Sequence, residues 1–391
     1  MADPFAGEAP TTSHRLRCAD GRTLPGTAPG SVDLVVTSPP YPMIRMWDGI
    51  FSRESPEVGR SLREGRGLAA FEGMHRLLDE TWAACAQALR DGGFLCVNVG
   101  DSTRTVGGRF ALYPNHARVL QTVQALGLTP LPTIFWRKPT NAPNKFLGAG
   151  MLPAGGYVTL EHEFILVFRK GSPRRFGTGE AREQRRRSAF FWEERNRWFS
   201  DAWDLRGASQ GRSDGALARR TGAFPLEIPY RLINMFSLVG DRVLDPFAGT
   251  GTTLRAAMGL ARNSVGFEIS EAVWHEARAR LGTPPVELNE RNRRRLAEHQ
   301  AWMNAPLPNG RMLKHRHRDY GFPVMTGQEG ALALWEVDRI EPTGPEEWTV
   351  GYRPLPGPTA GPASGDREPP GKAPGGVRSS EVRPISGSGS R

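Results

Sequence analysis

The sequence predicts an α/β protein in which a mostly parallel sheet carries helices on both faces. Three observations lead there. Short apolar runs bounded by turn residues alternate with segments of helical periodicity across residues 14–282. One run, Val243-Leu244-Asp245, passes through a glycine-rich turn into the helical segment Leu254-Arg255-Ala256-Ala257-Met258. Another, Val32-Asp33-Leu34-Val35-Val36, stops at Pro39-Pro40.

The elements follow in order. Residues 1–13 read as a loose leader. A short strand ends at Cys18-Ala19-Asp20, and a Gly/Pro-rich loop leads to the buried strand 32–36. Phe71, Met74, Leu77, Leu78, Trp82, Cys85 and Leu89 recur at helical spacing, and Asp91-Gly92-Gly93 is expected to stop that helix. Phe94–Val99 is a second buried strand, residues 113–126 suit a helix, and Thr133–Trp136 and Phe164–Phe168 are strands. Residues 171–215 break the rhythm. They hold Arg174, Arg175, Arg182, Arg185, Arg186, Arg187, Arg195 and Arg197 among Phe190, Phe191, Trp192, Trp198 and Trp203. Basic residues among aromatics suit phosphate contact and base stacking; the competing reading is a solvated loop over a small aromatic core. Residues 225–237 suit an amphipathic helix, 286–304 a basic helix with Arg291, Arg293, Arg294 and Arg295, and 331–353 a few extra strands. From about 355 the chain is rich in Pro, Gly and Ser with almost no large apolar residues, the composition of a disordered tail.

A net charge of +10 fits a polyanionic partner, although the excess is nearly all arginine, a usage that genome composition also produces. No stretch approaches 18 apolar residues, so no membrane span is expected. The first residues lack a basic and an apolar signal segment, so a cytoplasmic protein is expected. Cys18, Cys85 and Cys96 are too few and too irregular for a disulfide framework or a zinc site; they read as buried thiols, and no metal is expected.

Two motifs carry chemistry. In Thr37-Ser38-Pro39-Pro40-Tyr41 two prolines fix two φ angles and lack N–H donors, so nearby carbonyls are free to face a ligand. A hydroxyl and an aromatic ring flank this stiff corner. An exocyclic amine on a flat base needs acceptors for its N–H groups and a surface to stack on, and both lie within four residues. In the second motif, Asp245-Pro246-Phe247-Ala248-Gly249-Thr250-Gly251-Thr252-Thr253, Gly249 and Gly251 allow a tight turn and close approach of a ligand. Glu268 ends the next strand about twenty residues on, where nucleotide-binding folds place an acid for ribose hydroxyls. The third glycine of the dinucleotide pattern is absent, which disfavours a nicotinamide and favours another adenosine cofactor.

With these two motifs the chain resembles the S-adenosylmethionine-dependent amino-methyltransferases of DNA, which methylate cytosine N4 or adenine N6. The catalytic-type motif precedes the cofactor-type motif, the order of the permuted beta class, and the resemblance covers roughly residues 14–282. It implies a Rossmann-like, mostly parallel seven-stranded methyltransferase sheet, circularly permuted, with an inserted target-recognition region. Residues 14–170 would form the catalytic half, 171–220 the target-recognition region, 221–282 the cofactor-binding half, 283–354 a C-terminal extension and 355–391 the tail. The first strand would then insert beside the strand ending at Glu268. The implied cofactor is S-adenosyl-L-methionine and the implied partner double-stranded DNA, with a cognate restriction endonuclease as a further candidate and a monomer or homodimer as the acting form.

The resemblance also assigns roles. Ser38 Oγ and the carbonyl near Pro39 would accept from the target amine, Pro40 would stiffen the corner and Tyr41 would stack on the base. The base must leave the duplex to reach them, at a cost of a few kcal/mol. No covalent intermediate is needed; ring-carbon methylation of cytosine uses a Pro-Cys nucleophile, and no Pro-Cys pair occurs here. Asp245, Phe247, Gly249, Gly251 and Thr252 would shape the methionine side of the cofactor pocket, Glu268 would hold the ribose, and Asp20 would lie near the adenine. Phe224-Pro225 matches a Phe-Pro pair beside the cofactor, although Gly222 and Ala223 stand where a His often precedes it. Trp136 and Lys138 match a segment near the target base, with plain core packing as the competing reading for Trp136. Ser38 and the continuation Pro42–Asp48 favour cytosine N4; adenine N6 and a non-catalytic DNA-binding module are the alternatives.

Overall fold

Leu34 and Val36 point to one side of a strand and Val35 to the other, and all three are fully buried, so this segment needs cover on both faces. The computed structural model supplies it and describes residues 9–138, 147–148, 152–207, 224–304 and 313–357. Ten strands of the described residues form one sheet. They are β1 (Thr11–Cys18), β2 (Val32–Thr37), β3 (Leu89–Val99), β4 (Leu128–Arg137), β5 (His162–Lys170), β6 (Ala202–Asp204), β7 (Arg242–Asp245), β8 (Asn263–Glu268), β9 (Trp335–Gly344) and β10 (Glu347–Pro354). Their order across the sheet is β6-β4-β5-β3-β2-β7-β8-β1-β10-β9.

The contiguous set from β4 to β1 is the expected seven-stranded, mostly parallel sheet, within which β5 runs against both neighbours. β6 lengthens one edge in parallel, and the β9–β10 hairpin lengthens the other by pairing antiparallel to β1. The permutation is written in the pairing. β1 lies beside β8, with Leu16 opposite Gly266, and β2 beside β7, with Leu34 opposite Val243.

One face of the sheet is covered by α1 (Asp48–Glu54), α2 (Pro56–Arg63), α3 (Gly67–Ala88) and α4 (Asn115–Ala125), whose Phe51, Met74, Trp82 and Val119 pack on Val35, Leu95 and Val97. Against Leu34, Val36, Cys96 and Val167 on the other face lie Trp198, Ile233 and Ala256, from α6 (Trp192–Trp198), α7 (Glu227–Phe236) and α8 (Thr252–Gly259). Gly266 is needed for this packing, because a Cβ there would stand 2.7 Å from Leu254 and 3.0 Å from Ala248. α5 (Gly179–Arg187), α9 (Glu271–Leu281) and α10 (Val286–Asn304) complete the helices used below.

Several expectations are corrected. Thr11–Ser13 are not leader but the start of β1, paired to Gly351–Thr349, because Thr12 is buried and bonded to His14 and Tyr352. Asp91-Gly92-Gly93 does not end α3, which stops at Ala88; these residues lie inside β3, where Gly92 takes φ 78° at a register shift. Cys18 is exposed at the end of β1, whereas Cys85 and Cys96 are buried. Arginines of the basic helix α10 are committed to internal carboxylates: Arg295 and Arg291, turned inward, pair with Glu194 at 2.6 Å and Glu227 at 3.1 Å, and the exposed Arg293 pairs with the buried Glu336 at 2.5 Å. The first two fasten the C-terminal extension to α6 and α7, and the third ties α10 to β9 within the extension. Residues 1–8 of the leader, 208–223, and the tail from 358 lie outside the described residues. Among the described residues no helix is long and apolar enough to cross a membrane.

Candidate active site

β1, β2, β7 and β8 run in the same direction, so the segments after Cys18, Thr37, Asp245 and Glu268 emerge at one end of the sheet. There they enclose a cavity of about 470 Å³. Ser38, Pro39, Pro40 and Tyr41 line it from one side, and Asp245, Phe247, Gly249, Thr252 and Glu268 from another. Asp20 and Phe224 also border it; Gly251 and Pro225 do not. Gly251 shapes the wall from behind, capping α8 at φ 80°, and Pro225 accepts the Ile228 N–H at 3.0 Å where α7 begins.

The cofactor-side wall is built from backbone donors and buried acids. Gly249, at φ 52°, donates its N–H to Glu268 Oε2 at 3.1 Å, and Ser270 donates to Oε1 at 2.8 Å. Each oxygen keeps lone pairs for a ligand. Burial raises the Glu268 carboxyl above its ordinary value, offset in part by these N–H groups. Asp245 is buried and accepts from Thr37 Oγ1 at 2.6 Å and Phe247 N at 3.1 Å. Burial outweighs those bonds and lifts it to about 6. At Asp20 burial pushes up, but Arg22 wins: its N–H and Nε donate to the carboxylate at 2.9 and 2.7 Å and hold it below the usual range. Gly21 lets this loop reach the turn, since a Cβ there would stand 2.2 Å from the Pro246 carbonyl oxygen.

The base-side wall is a hydrogen-bond network. Tyr41 OH donates to Glu163 Oε2 at 2.9 Å and accepts from Asn98 Nδ2 at 2.7 Å. Asn98 Nδ2 also reaches Glu163 Oε2 at 2.7 Å, and Lys138 pairs with Glu163 Oε1. Ser38 Oγ lies 3.0 Å from Tyr41 OH. The phenol has one proton, and a carboxylate paired to a lysine can only accept. The Tyr41 proton therefore points to Glu163, and Ser38 must donate to the Tyr41 oxygen. This leaves the Ser38 lone pairs as acceptors. Burial and the neighbouring Glu163 raise the Tyr41 pKa well above its ordinary value, so the phenol stays protonated. Beyond the corner, Met43 holds φ 68°, unusual for a residue with a Cβ, and is locked by complete burial.

Asn98 and Glu163 lie in neither sequence motif. The detectable signal is an Asn inside the apolar run Phe94–Val99. Trp136 is buried with its Nε1 bonded to the Leu205 carbonyl at 2.8 Å, so packing is its role, with Lys138 4.2 Å from the ring centroid. Residues 171–199 do not border this cavity. Gln184 and Ser188 of that segment bond the backbone of Val239, ahead of β7, at the opposite end of the strands. Phe191, Trp198 and Trp203 are buried, the aromatic-core reading. The chain returns to the site end through β6, and residues 208–220 lie outside the described residues.

Fold and cavity define a class: a permuted nucleotide-binding α/β sheet joining a glycine-turn pocket to a Ser-Pro-Pro-Tyr corner. A family model for N6/N4 DNA methylases matches residues 32–278, and the chain belongs to that family. The chain is 44% identical to the type II methyltransferase M.MthZI of Methanothermobacter thermautotrophicus over 83% of its length and 90% of the relative's. It is also 44% identical to M.MjaI of Methanocaldococcus jannaschii, over 67% and 89%. TTHA0409 of Thermus thermophilus, solved with S-adenosyl-L-methionine, superposes with a TM-score of 0.52 at 34% identity, covering 68% of this chain and 94% of that one. The cytosine-N4-specific PvuII DNA methyltransferase shares the fold, with a TM-score of 0.51 at 17% identity over 74% and 96%.

Proposed function

We propose that this DNA methyltransferase methylates the exocyclic N4 amine of cytosine in duplex DNA, acting on a flipped base by direct transfer. Its cofactor is S-adenosyl-L-methionine, and the residues present fit it. In this reading the Gly249–Gly251 turn receives the methionine part, Glu268 accepts from the ribose hydroxyls, and Asp20 lies toward the adenine. When bound, the cofactor supplies an electrophilic methyl on a sulfonium.

The rest falls to the chain's own atoms. An exocyclic amine is a poor nucleophile because its lone pair is delocalised into the ring. Ser38 Oγ, with its own proton turned to Tyr41, accepts one amine N–H, and the carbonyl beside Pro39 accepts the other. Two acceptors pull the nitrogen toward sp³ geometry and return its lone pair. Pro39 and Pro40 keep both acceptors from drifting. The Tyr41 ring gives the base a surface. This oriented serine is the observation that carries the reading.

Ser38 and the continuation through Asp48 support cytosine over adenine. The two type II relatives support a restriction-modification setting, with a cognate endonuclease acting on the same cytoplasmic DNA. Plasmid DNA from an expressing host, digested to nucleosides and examined by mass spectrometry, tests the assignment. N4-methylcytosine is expected. N6-methyladenine alone would reassign the base, and neither product would leave a DNA-binding module.

A further inference from the structure

The exposed arginines of residues 171–199 are not used by the catalytic cavity. Four of them, Arg182, Arg185, Arg186 and Arg195, border an open cavity of about 1210 Å³ whose walls include Asp33, Arg90 and Asp241. These three stand at the amino ends of β2, β3 and β7, so this cavity opens at the opposite end of the sheet from the Ser38 corner. Its acids are already engaged. Asp33 pairs with Arg90 at 2.7 Å and Asp241 with Arg174 at 2.7 Å, while Glu329 accepts from the backbone of Trp192 and Thr326. Arg182, Arg185, Arg186 and Arg195 are exposed and have no carboxylate partner among the described residues. Trp192 and Phe199, 39% and 44% exposed, line the same cavity, and the Arg195 guanidinium lies 5.8 Å from the Phe199 ring centroid.

Unpaired guanidinium groups beside exposed flat rings are a phosphate-backbone surface. A second copy of a chain with net charge +10 is a poor occupant of it. One short duplex cannot serve both ends. The six residues of β2 alone separate them by about 20 Å, and DNA resists bending below its persistence length of about 50 nm. We propose that this cavity is a second DNA-contact site, holding the phosphate backbone of a separate duplex segment without reading its sequence. Such a site would let the enzyme keep one segment while it tests another. The inference rests on family membership and not on which base is methylated.

The test titrates the full-length protein with a fluorescent 12-base-pair duplex carrying a site that the protein methylates, located by mapping modified positions on plasmid DNA from an expressing host. The native chain is expected to take up two duplexes, the second with steep salt dependence. The variant Arg185→Gln/Arg186→Gln/Arg195→Gln should take up one, and its salt slope on long site-free DNA should fall by about 3. Its single-turnover methylation of the short duplex should be unchanged, which separates a failure here from a failure of the catalytic reading. The pair Arg182→Gln/Arg195→Gln serves if the triple variant loses its native melting temperature. Saturation of the native chain at one duplex, a variant that retains both, or a second site that prefers RNA would each overturn the proposal.

Discussion

Replacing Glu163 by Gln tests the orientation of the serine directly. The native carboxylate can only accept, so it captures the Tyr41 proton, and Ser38 must then donate to the Tyr41 oxygen at 3.0 Å. A glutamine can turn its oxygen to Lys138 and its NH₂ to Tyr41. The phenol proton then swings to Ser38, and the Ser38 proton swings into the cavity, where an amine N–H needs an acceptor. One acceptor of the two is lost in the transition state. An unmade hydrogen bond in such a site is worth about 1–3 kcal/mol, which is about 5- to 150-fold in the methyl-transfer rate. The assay is single-turnover transfer of a tritiated methyl to a short duplex, with cofactor affinity measured alongside. The rate should fall while cofactor affinity stays within about twofold, because Glu163 lies on the base side. Tyr41→Phe severs the same chain, so Glu163→Gln in that background should add nothing. A Glu163→Gln enzyme at native rate, or losses that multiply in the double variant, would refute the relay.

Further outcomes follow from the same geometry. Tyr41→Ala should nearly abolish methylation with cofactor binding kept; methylation at the native rate would refute the role of the Tyr41 ring. Glu268→Ala removes the acceptor held by Gly249 and Ser270 and should weaken cofactor binding by 10-fold or more in calorimetry, about 1.4 kcal/mol or greater. Asp245 titrates near 6, and its carboxylate form, dominant above that pH, attracts a cationic sulfonium. Cofactor affinity should therefore rise from pH 5 to 7, and Asp245→Asn should flatten that rise. Gly251→Ala has room for its Cβ, with Ala277 and Leu281 3.6 Å away, so only its φ of 80° resists. About 1–2 kcal/mol should be lost from stability in urea titrations.

Much of this was legible beforehand because the decisive signals are local. An apolar run ending at Pro39-Pro40, and a strand leading into Gly249 and Gly251, each announce a strand end, and ends of parallel strands gather on one side. What escaped depends on register. Asn98 sits opposite Ile165 and Val99 opposite Phe164, which brings Glu163 to Tyr41. No spacing along the chain reports that alignment. Trp136 and the α10 arginines share a second difficulty: side chains suited to a ligand are equally suited to burial or an internal partner, and only the neighbours decide. The arginines of 171–199 show the third, since composition proposes a partner without saying at which end of the sheet the groups will stand.

The position of β1 bears on how the molecule is made. Its two neighbours are β8 and β10, supplied by residues 263–268 and 347–354. During synthesis Thr11–Cys18 therefore waits with both edges bare until most of the polypeptide has left the ribosome. Pairings that distant slow folding and expose aggregation-prone edges meanwhile. A product ending near 282 would close one side of that strand and leave the other open, even with every residue of the cavity in place.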